Sequence, residues 1–374
     1  MIKPKNIHIL HISEFGGHSK AAQNIKEALI FKRPDLEVKS LNGLGYFYPR
    51  GEKMIDFIYT ATIKHFPHLW GQAYDRKKVK KALTPYQTFF NRIAFRKLKK
   101  LITSENPSCF VATQAFPCGV VADYKEIKGL NIPLVAVVTD YHPHRFWAHK
   151  QVDRYIVACQ EAKDVLKSQG VSEEKVKILG IPISVNFLTA YPKHQTSEEL
   201  GFRKDLPSIL LMGGGLGLGP LKIIAKELDQ LSSDFQMIVV CGLNKSLHNW
   251  FLRKKDKFKK PIFVFGYTEH IHKIMDYSDI IVTKGGGITI SEALAKGLCI
   301  VVTNPIPGQE ERNVKYLLKE KAILEADHPE MTASIVNKLL TNQKNLYALR
   351  ERAKEISFID SSLRIVDIIC EVLS

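Results

Sequence analysis

Short apolar runs rich in β-branched residues recur along the chain, and each is closed by a turn. They predict strands over Ile7–Ile12, Cys109–Thr113, Leu134–Thr139, Arg154–Ala158, Ile209–Met212, Met237–Cys241, Ile262–Phe265, Ile280–Thr283 and Ile300–Thr303. Between them, apolar residues at helical spacing predict helices over Lys20–Phe31, Glu161–Gln169, Leu221–Leu231 and Thr289–Lys296. Strands that are continuously apolar, rather than alternating, and that are separated by helices belong in parallel sheets covered on both faces. The series occurs twice. The first set closes near Gly180-Ile-Pro-Ile183, the second opens at Leu210-Leu-Met-Gly-Gly-Gly215, and the polar stretch Thr189–Glu199 between them reads as a linker. The pattern therefore predicts an α/β fold of two Rossmann-like, doubly wound parallel-sheet domains, residues 1–188 and 200–348, with a C-terminal helix over 349–374 packing back on the first. In such sheets ligands bind outside the carboxyl ends of the strands, and two facing domains would enclose a cleft.

Composition narrows the class without choosing it. With 374 residues, 45% hydrophobic and 25% charged, the chain is an ordinary globular mixture, which excludes a disordered or fibrous protein. Its longest apolar runs, such as Ile132–Val138, fall far short of the roughly 18 residues of a membrane-spanning helix. The first strand runs into a glycine-rich loop and not into a small-residue cleavage site, so a cytoplasmic location is expected. The six cysteines show no C-x-x-C spacing, and neither a disulfide framework nor a zinc site is expected.

The charge is uneven. Of 54 basic and 38 acidic residues, positions 1–190 hold 29 and 16, a net of +13, while the remainder holds 25 and 22, a net of +3. Arg76–Lys100 carries ten basic residues and no acidic one, among aromatic side chains. A basic half-protein faces something anionic: nucleic acid, a membrane surface or an acidic substrate.

Three constellations follow predicted strands. Ser13-Glu-Phe-Gly-Gly-His18 joins the first strand to a helix; its glycines permit a tight turn, and His18 is of the residue type that accepts a proton near neutral pH. Alternatively it is a plain strand-to-helix turn. Met212-Gly-Gly-Gly-Leu-Gly-Leu-Gly-Pro220 could cradle a diphosphate against a helix N-terminus, although it is neither G-x-G-x-x-G nor a Walker loop. Val282-Thr-Lys-Gly-Gly-Gly-Ile-Thr-Ile-Ser-Glu292 ends a strand in three glycines. Its Thr289 and Glu292, one turn apart, read either as a capping box or as a ribose-holding carboxylate beside a phosphate site. Gln309 and Glu310, on a proline-bracketed loop, would offer an amide and a carboxylate to sugar hydroxyls, or else are simply solvated, as polar loops more often are.

The order Gly16-Gly-His18, Thr139-Asp-Tyr-x-x-His144, Met212-Gly-Gly-Gly215, Cys241-Gly-Leu-Asn-Lys245, Phe265-Gly-Tyr267, Lys284-Gly-Gly-Gly-Ile-Thr-x-x-Glu292 and Pro307-Gly-Gln-Glu310 resembles the diacylglycerol glycosyltransferases. This family holds the monogalactosyldiacylglycerol synthases and the processive diacylglycerol glucosyltransferases, relatives of the transferase that makes lipid II. The likeness spans roughly residues 7–345. It implies a GT-B architecture, an N-terminal domain that meets membrane and acceptor, and a C-terminal domain that holds a UDP-sugar. It also implies inversion at the anomeric carbon with no cofactor and no metal.

By position, the resemblance places Gly213, Gly214 and Gly215 at the phosphates, Tyr267 and Thr268 near the uracil, and Asn244 and Lys245 along the donor. Gly286, Gly287 and Thr289 would meet the diphosphate, Glu292 the ribose, and Gln309 and Glu310 the hexose. His18 is the candidate base, with Asp140 second and His142 and His144 behind it. Gly17, Phe116, Trp70, Lys77, Lys78, Lys80, Lys81, Phe89 and Phe90 would form the acceptor and membrane surface. The implied partners are UDP-glucose or UDP-galactose, with the glycine spelling of the Lys284 motif leaning toward glucose, diacylglycerol, and anionic lipids at the inner face of the membrane. No nucleic acid is expected. Two other readings compete: a UDP-sugar epimerase or transferase to another acceptor, which would have no use for the basic aromatic surface, and a basic nucleic-acid-binding protein, which leaves the glycine loops unexplained.

Overall fold

The computed structural model describes residues 5–13, 16–49 and 93–374. Each predicted strand core is a strand: β1 (Asn6–His11), β3 (Cys109–Ala112), β4 (Leu134–Val137), β5 (Arg154–Val157), β7 (Ser208–Met212), β8 (Gln236–Val240), β9 (Ile262–Phe265), β10 (Ile280–Thr283) and β11 (Cys299–Thr303). Three more, β2 (Glu37–Asn42), β6 (Val176–Ile178) and β12 (Ile323–Ala326), complete two all-parallel sheets with orders β2-β1-β3-β4-β5-β6 and β12-β11-β10-β7-β8-β9. All three lie at sheet edges. There one side of the strand lacks a neighbour and polar side chains are tolerated, so the apolar run that marks an inner strand can be lost, although the fourth edge strand, β9, keeps it.

The chain divides into two compact units: Met1–Val185 with Pro307–Gln309 and Asp360–Ser374, and Asn186–Ile306 with Glu310–Ile359. The stretch expected as a linker holds a helix, Lys193–Leu200, within the second unit. There the Asp276 carboxylate accepts from the Tyr191 N–H at 2.9 Å and from Lys296 at 2.7 Å. The single helix expected over 349–374 is instead two. Gln343–Glu355 stays with the second unit, and only Ser361–Leu373 returns to the first.

That last helix is held by burial. Ile365, Val366 and Ile369 are fully buried against Ile7, Ile9, Ala22, Ile25 and Leu29, at roughly 1.5–3 kcal/mol for each large side chain. Ser361 Oγ donates to the Ile181 carbonyl at 2.9 Å, and Lys32 pairs with Asp367 at 2.6 Å. In the second unit the inward residues of β7, β8, β10 and β11 pack with Leu221, Ile224, Leu228, Phe251 and Val336 from the covering helices. Among the described residues no helix is long and apolar enough to cross a membrane.

Candidate active site

In the second sheet the chain runs from β7 outward through β8 and β9, then crosses back to lay β10 on the other flank of β7. The crevice of a doubly wound sheet opens at such a switch point. Register pairs Met212 with Thr283, so the loop that leaves β7 at Gly213 and the one that leaves β10 at Lys284 start side by side.

The first of these loops folds on itself. Leu218 N–H donates to Gly213 O and Gly217 N–H to Gly214 O, both at 3.0 Å. Gly214, Gly217 and Gly219 have φ of 70, 57 and 99°, where a side chain is strained. A Cβ on Gly213 would stand 1.8 Å from Leu218 O, and one on Gly217 would stand 2.0 Å from Cys241 O. These glycines are thus demanded by backbone packing before any ligand is considered; Gly215, where a Cβ would meet nothing within 4 Å, is not.

The β8 loop locks onto the same turn. Leu243 N–H donates to Gly215 O at 2.9 Å and the Asn244 amide to Gly217 O at 3.0 Å. Asn244 Oδ1 also caps helix Lys245–Lys254 by accepting from Leu247 N–H at 2.9 Å, so both ends of its amide are engaged in holding loops. Lys245, the first residue of that helix, is exposed. After β9, Tyr267 is 58% exposed, beside exposed Glu269 and His270, and Thr268 Oγ1 accepts from His270 N–H at 3.1 Å.

Past β10, helix Gly287–Ala295 has Gly286 as its N-cap, with no side-chain cap. Thr289 is therefore the third helical residue and not a cap, which removes the capping-box reading of Thr289 and Glu292. Both are buried, one turn apart. The first intrahelical bond is Ile290 N–H to Gly286 O, so the N–H groups of Gly287, Ile288 and Thr289 have no acceptor within the helix and give it a positive end. Gly285 is pinned by its neighbour: Asn313 Nδ2 donates to its carbonyl at 3.0 Å, and a Cβ there would lie 2.8 Å from Glu310 O.

Gln309 and Glu310 are not on a loop, as the prolines suggested; they open helix Gln309–Lys319. Glu310 is buried. Its Oε2 accepts from Ile306 N–H at 2.8 Å, and its Oε1 meets Lys284 Nζ at 2.7 Å. The Lys284 stem lies within about 4 Å of where side chains at Gly214 and Gly219 would begin. This lysine, to which its motif alone gave no role, thereby lies across both glycine loops with its ammonium paired to Glu310. A lysine at a strand exit directly before three glycines was the available signal.

In the first unit β1 lies between β2 and β3, and the corresponding switch point puts His18 beside the ends of β3 and β4. Gly16, with φ 141°, turns the chain into helix Gly17–Lys32, where Gly17 is exposed and His18 is the second residue. His18 Nδ1 lies 3.0 Å from the Thr113 carbonyl and 2.9 Å from Thr139 Oγ1, while Thr113 Oγ1 donates to His18 O at 2.9 Å. A carbonyl only accepts, so Nδ1 carries the proton and Nε2 keeps its lone pair. Burial pushes the His18 pKa down to about 4 against the opposing pull of the Thr113 carbonyl. Burial, with His18 nearby, does the same for His144. Near pH 7 His18 is thus a neutral imidazole in one tautomer, able to accept a proton at Nε2.

Asp140 is buried, and Gln309, which clusters with this unit, donates its side-chain amide to the Asp140 carboxylate. His142 Nδ1 is 3.8 Å from Glu161. Phe116, half-buried at the start of helix Ala115–Lys128, packs on Tyr48 with ring centroids 5.8 Å apart. Trp70, Lys77, Lys78, Lys80, Lys81, Phe89 and Phe90 lie outside the described residues.

The family model for monogalactosyldiacylglycerol (MGDG) synthase matches residues 18–183, and that for the glycosyltransferase family 28 C-terminal domain matches residues 208–365. Among solved structures, Acinetobacter baumannii MurG superposes with a TM-score of 0.65 at 15% identity, covering 98% of this chain and 100% of that one. The UDP-GlcNAc 2-epimerase of Neisseria meningitidis, bound to UDP-GlcNAc, gives 0.62 at 11%, covering 98% and 100%. At these identities the likeness is one of fold, and the fold by itself does not choose the reaction.

The glycosyltransferase domain match, on two parallel sheets with glycine loops at the switch point, defines a GT-B glycosyltransferase. The processive diacylglycerol β-glucosyltransferase of Bacillus pumilus (strain SAFR-032) is 31% identical over 311 residues, 82% of this chain and 79% of that protein. The chain belongs to the processive diacylglycerol β-glucosyltransferase family.

Proposed function

We propose that this enzyme transfers glucose from UDP-glucose to diacylglycerol, and onward to its own glucosylated product, with inversion at the anomeric carbon at the cytoplasmic membrane face. The relative's name supports the acceptor and the sugar. The observation that carries the donor assignment is the pair of glycine loops at the β7/β10 switch point with Lys284 across them. A sugar nucleotide already holds a good leaving group, so catalysis needs charge placed where the diphosphate develops negative charge and a base for the attacking hydroxyl. Lys284 and the N-terminus of helix Gly287–Ala295 supply the first without a metal ion. Glu292 accepts the ribose hydroxyls, Tyr267 stacks on the uracil and Gln309 contacts the hexose. His18 Nε2 takes the proton of the acceptor hydroxyl, and Asp140 helps to orient that hydroxyl.

The test is transfer of radiolabelled sugar from UDP-glucose, UDP-galactose and UDP-N-acetylglucosamine to diacylglycerol in mixed micelles and in vesicles containing anionic lipid. A chloroform-soluble glucoside from UDP-glucose, extended to a ladder with time and insensitive to EDTA, is expected. Label from UDP-galactose instead would replace the sugar, and no organic-soluble label from any donor would overturn the acceptor. His18→Ala should lower kcat by a factor on the order of 10²–10⁴, the usual yield of general base catalysis, with little change in donor KM.

A further inference from the structure

The second unit carries a basic surface that the transfer reaction does not use. Residues 253–260 read Arg-Lys-Lys-Asp-Lys-Phe-Lys-Lys, six cations to one anion, in a part of the chain that is otherwise close to neutral. They close helix Lys245–Lys254 and lead through a 3-10 turn, Lys255–Lys257, into the edge strand β9. Leu252, Arg253, Lys254, Lys255, Lys257 and Lys259 are exposed. Lys222 and Lys226, from helix Leu221–Asp229, join them by lying over the ring of Trp250 at 5.2 and 5.7 Å.

Elsewhere in this unit many cations are paired, as in Lys193–Asp279, Lys204–Glu198, Lys273–Glu199 and Arg352–Glu320, and within the basic stretch Lys260 reaches Asp234 at 3.8 Å. Among the described residues no carboxylate lies within ion-pair distance of Arg253, Lys254, Lys255, Lys257, Lys222 or Lys226. The like charges gain nothing from one another, so their concentration calls for an anionic counterpart outside the chain.

Two apolar features choose that counterpart. Ile223 and Leu252 stand 44% and 42% exposed on the two helices that carry these cations, as on a surface that settles at the headgroup boundary. The one indole on this surface is already packed against Phe251 and Phe258 and covered by two lysines, which leaves it unsuited to stacking on a nucleobase.

We propose that this face of the donor-binding unit docks on an anionic lipid bilayer, as a membrane contact separate from the basic aromatic stretch of the first unit. It builds on the reading of a lipid acceptor, because an enzyme whose acceptor stays in the bilayer works from its surface.

The test is co-sedimentation of the full chain with phosphatidylcholine vesicles with and without phosphatidylglycerol, comparing the parent with Lys254→Glu/Lys255→Glu/Lys257→Glu and with Leu252→Ser/Ile223→Ser. Unchanged thermal unfolding establishes that the variants fold. The charge variant is expected to lose on the order of tenfold or more in partitioning onto phosphatidylglycerol vesicles and to show a shallower salt dependence. The apolar variant should lose the binding that persists at high salt. Unchanged partitioning of the charge variant overturns the proposal, as does loss of duplex DNA or RNA binding with vesicle binding intact. Transfer to diacylglycerol in uncharged detergent micelles, expected to be the same for all three proteins, separates the two readings: its absence from every protein would reject the acceptor assignment while sedimentation still judges the docking face.

Discussion

Replacing Lys284 by methionine removes the cation from between the glycine loops while keeping most of the volume of its stem. In the parent its ammonium sits 2.7 Å from Glu310, the two side chains being only 13% and 11% exposed, so the substitution strands a nearly buried carboxylate. Breaking one side of a buried pair costs roughly 3–5 kcal/mol. Glu310 keeps its bond from Ile306 N–H and some contact with solvent, which brings the loss to about 2–3 kcal/mol, or a fall in Tm of about 4–12 °C for a unit of this size. A lysine that only held Glu310 in place would show that loss and no more. A lysine that meets the diphosphate should also cost on the order of 10²–10³-fold in kcat, the scale of removing one donor from a site of developing charge. The two effects separate in Lys284→Met/Glu310→Leu, which leaves no charge buried and should regain most of the stability without regaining turnover. Thermal unfolding reads the first effect, and glucose transfer at saturating donor reads the second. Near-parental turnover by Lys284→Met, despite its lower Tm, would refute the catalytic role and leave the lysine a staple.

Glu292→Ala should raise the donor KM by roughly 10–100-fold, the worth of a lost hydrogen bond to a charged group, with kcat little affected; unchanged donor kinetics would reject the ribose contact. His18 and His144, held near pKa 4 instead of 6.5, bind fewer protons folded than unfolded between those values. Stability should therefore be flat in this respect above pH 6.5 and fall as pH drops from 6.5 toward 4, a loss that His18→Asn reduces in a denaturant series. If His18 is the base, the acid limb of kcat/KM lies near pH 4, and a limb at 6.5 would point to another group. Gly217→Ala, which would drive a Cβ to 2.0 Å from Cys241 O at φ 57°, should destabilise well beyond Gly129→Ala, where φ is 63° but nothing lies within 4 Å and only about 1 kcal/mol of backbone strain applies. Equal Tm shifts for the two would show that the loops are not tightly woven.

The inner strands were legible because a strand buried on both faces is mostly apolar, as in Ile280-Ile-Val-Thr283, whatever its neighbours are. The glycine loops were legible for a similar local reason. Of the four edge strands, β9 was legible from its unbroken run Ile-Phe-Val-Phe, while β2, β6 and β12 were not, since their polar or short segments carry no pattern strong enough to separate them from loops. Nor was the role of the Asn244 amide, whose residue type suits a ligand contact as well as the helix cap and loop staple it forms.

What the sequence by itself determined was local: which segments are strands, where the chain turns on glycine, that the series runs twice, and that its motifs are those of diacylglycerol glycosyltransferases. What only the tertiary structure decided was adjacency. Lys284 reaches the loop after β7 because β10, some seventy residues later in the chain, pairs with β7 across the switch point. The tautomer of His18 is set by a carbonyl 95 residues away. Strand order and hydrogen-bond partners arise from the free energy of burying whole faces together, a sum over distant segments that no single stretch of sequence carries.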